Sequence, residues 1–88
     1  MPKTIHTRHY DAFKQVLRAA REDAGATQHQ LAQKLGVTQS AVSKVEMGEQ
    51  RIDLIQLREW CEALDIKLTD FVEHLERHLH EKSRGSKR

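Results

Sequence analysis

The stretch from Thr27 to Gly48, TQHQLAQKLGVTQSAVSKVEMG, carries two short helical patterns joined by a turn too tight for anything except a helix-turn-helix. Thr27 is placed to cap the first helix, and Gln30, three residues on, completes a capping box. Leu31, Ala32 and Leu35 then recur at helical spacing. Gly36 follows directly, where a left-handed residue must stop the helix, a conformation glycine takes at little cost. Val37 is expected to anchor the turn, and Thr38 to cap a second helix whose inward face is Val42, Val45 and Glu46. Ser40, Ser43, Lys44 and Met47 fall at i, i+3, i+4 and i+7, opposite that inward face. A small, polar, mostly uncharged outer face suits a helix that must lie against base edges, so duplex DNA is the expected partner.

Size and composition narrow the alternatives. The 88 residues are enough for one small domain. The single proline is Pro2, and no long alternating strand pattern appears. The lone Cys61 excludes an internal disulfide and fits a reducing compartment. No apolar run approaches the length of a membrane span, and no signal-peptide core is present, so a cytoplasmic location is expected. The formal net charge is only +2, but it is unevenly spread. Residues 1–51 carry eight Lys/Arg against five Asp/Glu, residues 52–80 three against seven, and residues 81–88 four against one. An anionic partner would be steered to the basic half.

Along the chain, residues 1–8 lack periodicity and read as a flexible arm. A first helix is predicted from about His9 to Ala24, with Phe13, Val16, Leu17 and Ala20 inward and Gly25 ending it. The second and third span roughly Gln28–Leu35 and Gln39–Met47, giving a helix-turn-helix over 28–47. Asp53 caps a fourth, Leu54–Leu64, with Leu54, Leu57, Cys61 and Leu64 inward and Trp60 alongside. Thr69 or Asp70 opens a fifth that runs to about Lys82, with Phe71, Val72, Leu75 and Leu79 on one stripe. The ordered domain is thus expected over 9–82, with residues 83–88 a disordered basic tail.

The run LRAAREDAGATQHQLAQKLGVTQSAVSKVEMGE, followed by a capped helix ending in EALDI, resembles the Cro/Xre family of phage-repressor-like helix-turn-helix proteins over roughly residues 10–75. The resemblance implies an all-α fold, a five-helix lambda-repressor-like DNA-binding domain, here with an extended C-terminal helix. It implies that Gln28, at the start of the second helix, grips a phosphate and steadies Gln39 at the start of the third. A helix N-terminus, with its unpaired N–H groups and positive dipole end, suits that task. Gln39 can read an adenine edge bidentately if Gln28 does not consume it. The resemblance also pairs Arg21 with Glu46 as a largely buried structural pair. One position departs from the family: Met47 stands where asparagine is common, which leaves Arg51 to supply the phosphate contact in that loop.

The candidate DNA-contacting set is therefore Gln28, Thr38, Gln39, Ser40, Ser43 and Lys44, with Arg51, Lys14 and Arg18 as cationic flanks and Arg8 as a weaker candidate in the arm. The competing reading of each is an ordinary solvated helix face. His74 and His78 share a face, with Glu81 nearby, but two imidazoles without cysteine or HExxH do not close a metal site, so neither metal nor cofactor is expected. Cys61 lies on an apolar helix side among acidic neighbours, the setting of a core residue rather than of a reactive thiol. Trp60, Leu75 and Leu79 are candidates for a homodimer interface, against the plainer reading that the last helix packs back on the first. Together these features imply a homodimeric transcriptional regulator, a repressor in the first instance, reading an inverted repeat with its third helix in the major groove. Alternatives are an antitoxin that also binds a toxin protein, a restriction-modification controller, or a protein-interaction module without DNA binding. No constellation of nucleophile and base points to an enzyme.

Overall fold

The computed structural model describes residues 7–86, with side chains as far as residue 81. Five helices follow in order: α1 (Arg8–Asp23), α2 (Gln28–Leu35), α3 (Gln39–Met47), α4 (Leu54–Ala63) and α5 (Leu68–Ser86). No strand occurs among the described residues.

An oxygen-bearing side chain opens each of the first four helices. Thr7, Thr27, Thr38 and Asp53 have extended backbones and accept from the N–H three residues on. Such caps each contribute about 1 kcal/mol. Thr27 and Asp53 form full capping boxes, with Gln30 and Gln56 accepting from the cap's own N–H. The cap at Thr7 makes Arg8 the first residue of α1, where the sequence placed the end of an arm. The rest of that arm, residues 1–6, lies outside the described residues.

At its other end α4 stops at Ala63, and Asp65 takes a left-handed φ of 61° while the Ile66 N–H reaches back to the Cys61 carbonyl at 2.9 Å. Aspartate tolerates this conformation better than most residues. Helix α5 starts ahead of Thr69 and Asp70, because the Lys67 carbonyl already accepts from the Phe71 N–H. Its backbone stays helical to Ser86, so four residues of the expected tail are helical. Gly85 lowers helix propensity by about 1 kcal/mol but imposes no stop.

Leu17, Leu31, Val42 and Cys61 form the fully buried centre, surrounded by Val16, Ala32, Val45, Leu57, Trp60, Leu64 and Phe71. Burial of the valine, leucine and phenylalanine side chains among them stabilises by roughly 1.5–3 kcal/mol each. Helix α1 packs on α3 and α5, α2 on α3 and α4, and α4 on α5. Phe13 and Phe71 meet edge-on with centroids 5.9 Å apart, joining α1 to α5. Further along, His78 Nε2 lies 3.0 Å from Gln15 Oε1.

Four expectations about burial are corrected. Trp60 is only 5% exposed and belongs to the core, because it shares the inward side of α4 with Leu57 and Leu64. It is not available as a dimer contact. Leu54, expected inward, is exposed, since it begins α4 where the core no longer reaches. Val37 stands out from the turn rather than anchoring it, and Val72 lies on the outer edge of the α5 stripe. Leu75 packs against the core and Leu79 is half-buried, consistent with α5 lying back on α1.

Candidate DNA interface

The turn between α2 and α3 follows from two residues. Gly36 has φ 73°, and the Val37 N–H returns to the Ala32 carbonyl at 3.0 Å, closing α2. Thr38 then accepts from the Ala41 N–H at 3.1 Å and starts α3. With that lone pair used, the Thr38 hydroxyl proton remains to be donated outward. Helix α3 buries Val42, Val45 and Glu46 and turns Gln39, Ser40, Lys44 and Met47 to solvent, with Ser43 half-buried between them. Ser43 Oγ makes only a weak 3.8 Å contact with Met47 Sδ. The outer face of α3 is therefore small, polar and largely uncharged, with Met47 its one apolar member.

Behind that face lies a buried ion pair. Arg21 Nε donates to Glu46 Oε2 at 2.6 Å and Arg21 Nη2 to Oε1 at 3.1 Å, with side-chain exposures of 10% and 4%. Arg21 Nη1 also donates to the Ala26 carbonyl at 2.9 Å, so one guanidinium ties α1, the α1–α2 connection and α3 together. The Glu46 hydrogen bond, outweighing burial, raises the pKa of Arg21 further still. The network continues outward, with Gln28 Nε2 donating to Glu46 Oε1 at 2.9 Å and Gln39 Nε2 to Gln28 Oε1 at 3.4 Å. The link from Gln28 to Glu46 was not anticipated from the sequence.

The cationic flank is built on one stripe of α1. Tyr10, Lys14, Arg18 and Arg21 recur at spacings of three and four and so line one side of the helix. Lys14 pairs with Asp11 at 3.3 Å and runs beside Gly48, where α3 ends. Arg18 pairs with Glu22 at 3.0 Å on an exposed surface, an interaction that counts for little in stability. Arg51, in the loop after α3, places its guanidinium 4.3 Å from the Tyr10 ring centroid. Tyr10 was missed as a site residue, although its position four before Lys14 put it on this stripe. Its hydroxyl is buried with no partner among the described residues, and burial pushes its pKa up against the opposing pull of Arg51.

No group of His, Cys, Asp and Glu among the described residues could hold a metal ion. Cys61 is buried, which pushes its thiol pKa up, away from reactivity. No helix of the described residues is long and apolar enough to cross a membrane.

Fold and turn together define a helix-turn-helix domain of five helices. The helix-turn-helix family model matches residues 17–71. An XRE-family-like protein from Pseudomonas syringae pv. tomato superposes with a TM-score of 0.76 at 40% identity, over 85% of this chain and 92% of that one. The chain belongs to this XRE-like helix-turn-helix family. The clp gene regulator ClgR from C. glutamicum is similar at 25% identity and a TM-score of 0.71, over 81% of this chain and 92% of that one. The fold is shared with the restriction-modification controller protein C.Esp1396I, solved as a tetramer on its natural 35 base-pair operator. There the TM-score is 0.75 at 20% identity, over 83% of this chain and 96% of that one. No curated protein matches the sequence.

Proposed function

We propose that this chain is a sequence-specific regulator of transcription that binds duplex DNA as a homodimer and acts as a repressor. Helix α3 enters the major groove, with Gln39, Ser40, Ser43 and Lys44 toward the base edges. Gln28, Thr38, Lys14, Arg18 and Arg51 contact phosphates on either side. The observation that carries this reading is the exposed, polar and nearly uncharged outer face of α3, with Lys14 of the cationic α1 stripe beside its end at Gly48. Unpaired N–H groups at the starts of α2 and α3 suit phosphate oxygens, and short side chains let the backbone approach the bases. The fold shared with a protein solved on its operator supports the same reading.

A homodimer follows from the size of the module, which alone covers too little DNA for a selective site. Leu54, Ile55 and Val72 supply exposed apolar surface for self-association, with the half-buried Leu79 two turns after Val72 on α5. Two subunits related by a two-fold axis would read an inverted repeat with half-sites roughly 10 bp apart.

The test is selection of bound sequences from a random duplex library at two salt concentrations. An enriched palindrome whose affinity falls steeply with salt is the expected result. Weak binding without enrichment would reject the reading.

A further inference from the structure

We propose that the groove between α1 and α5 receives the cationic segment of a second copy of this chain, residues 82–88, and that the exchange is reciprocal. The proposal rests on the homodimer reading above and gives it a charged contact beyond the exposed apolar residues.

The groove has a volume of about 990 Å³ and is floored by Val16, Leu64 and Phe71. Around that floor stand five exposed carboxylates: Asp23 of α1, Asp65, and Asp70, Glu73 and Glu81 of α5. Against these five are Lys67 and Arg77, so the walls carry a net charge of −3 with the histidines neutral. None of the five carboxylates makes an ion pair among the described residues. Nor does helix stability account for all of them. Asp23 is the last residue of α1, where the helix dipole disfavours an acid. Like charges held around one concave surface focus its field and favour a cationic occupant.

The densest cationic segment of the chain is residues 82–88, with Lys82, Arg84, Lys87 and Arg88 and no acid. This segment does not reach the groove of its own chain. Helix α5 continues to Ser86 and carries residues 82–86 beyond Glu81, the last residue of the groove, by roughly 1.5 Å for each residue. Returning to the groove would require α5 to unwind. A second copy meets no such obstacle, and about a two-fold axis each copy gives one segment and takes one.

The surface is also clear of the proposed DNA contacts. At 3.6 residues per turn, Val16, Ala20 and Asp23 lie on the side of α1 opposite Lys14 and Arg18. A copy seated in the groove therefore leaves the cationic stripe free. Single exposed ion pairs count for little, so the contact depends on several acting together and weakens as salt screens them.

The experiment is a charge swap between copies, read by sedimentation equilibrium of the full chain. A groove variant, Asp23→Lys with Glu73→Lys, makes the groove net cationic. A segment variant, Lys82→Glu with Arg84→Glu and Lys87→Glu, makes the segment net acidic. Wild-type self-association should weaken as salt is raised. Each variant alone should associate at least about tenfold more weakly than the wild type, because like charges then face each other in both contacts. An equimolar mixture restores opposite charges in both contacts and should recover nearly the wild-type affinity. That recovery has no explanation in a folding defect of either chain. A variant that associates alone as the wild type does, or a mixture that stays monomeric, would overturn the exchange and leave the homodimer reading standing. A segment variant that loses DNA affinity but not association would overturn it too, and make residues 82–88 a phosphate contact. A wild type that is itself monomeric would overturn the homodimer reading, and the exchange with it.

Discussion

The side chain of Lys14 occupies the space in which a Cβ of Gly48 would stand: the Lys14 Cδ lies 2.8 Å from that point and its Nζ 3.1 Å. Gly48 also has φ 83°, and its N–H closes α3 on the Val45 carbonyl at 3.1 Å. The end of α3 and the cationic stripe of α1 therefore meet at one glycine. Gly48→Ala should destabilise the domain by about 1–2 kcal/mol from the left-handed backbone. The contact with Lys14 adds a smaller share, because a lysine stem can swing aside. Urea denaturation of Gly48→Ala in wild-type and Lys14→Ala backgrounds separates the two effects. Most of the loss should persist without Lys14, and a neutral Gly48→Ala would show that the turn does not require glycine.

The ion pair between Arg21 and Glu46 gives a second expectation. Either Arg21→Ala or Glu46→Ala strands a buried charge and should cost about 3–5 kcal/mol, a large part of a small domain's stability. Replacing both together, Arg21→Met with Glu46→Leu, should cost less than either single change, since no uncompensated charge remains. A double-mutant cycle by denaturation, with Arg21→Met and Glu46→Leu made singly and together, measures the coupling. Additive costs would mean that the two residues stabilise the fold independently.

Much of this was legible in the chain because local rules and tertiary packing agree in the helix-turn-helix. Thr27, Gln30 and Gly36 mark the limits of α2 by their chemistry alone, and the tertiary contacts only confirm the boundaries. Trp60 was not legible in the same way. A tryptophan three residues after Leu57 fits either a core or an interface, and only the assembled core, in which it is buried with Leu57 and Leu64, decides. Nor was the bond from Gln28 to Glu46, which depends on α2 and α3 crossing so that residues 18 apart meet. Periodicity assigns a side chain to a face; it does not say which polar atoms come within 3 Å. The stacking of Arg51 on Tyr10 is hidden for the same reason, since a loop residue has no period.

Burial of Cys61 yields an expectation about pH. Its thiol is 1% exposed, and burial holds its folded pKa above the unfolded value. An acid whose folded pKa is raised contributes stability that is fully present below the unfolded pKa, about 8.5 for a cysteine, and is lost as pH rises through the folded one. Unfolding free energy should therefore decline above about pH 8.5, and Cys61→Ala should flatten that decline while lowering stability overall. Thiol modification by Ellman's reagent should follow the rate of opening rather than the reagent's access to a surface. Immediate reaction under native conditions would contradict the burial.

Arg51 stacked on Tyr10 brings the last expectation to the DNA itself. A guanidinium over an aromatic face at an exposed site gains about 0.5–1 kcal/mol, enough to bias the side chain toward one place without neutralising its charge. If that place faces a phosphate, Arg51→Ala should weaken binding to specific and random duplexes alike and reduce the salt slope by about 1. Tyr10→Leu removes the platform but keeps the charge. It should weaken binding by less than Arg51→Ala and leave the salt slope unchanged. Tyr10→Phe keeps the ring and removes a hydroxyl that has no partner among the described residues, so both stability and DNA binding should stay level or improve slightly. The salt dependence of binding, measured for the three variants on one duplex, decides between the possibilities. An Arg51→Ala slope equal to that of the wild type would remove Arg51 from the phosphate contacts and leave the loop after α3 with a purely structural cation.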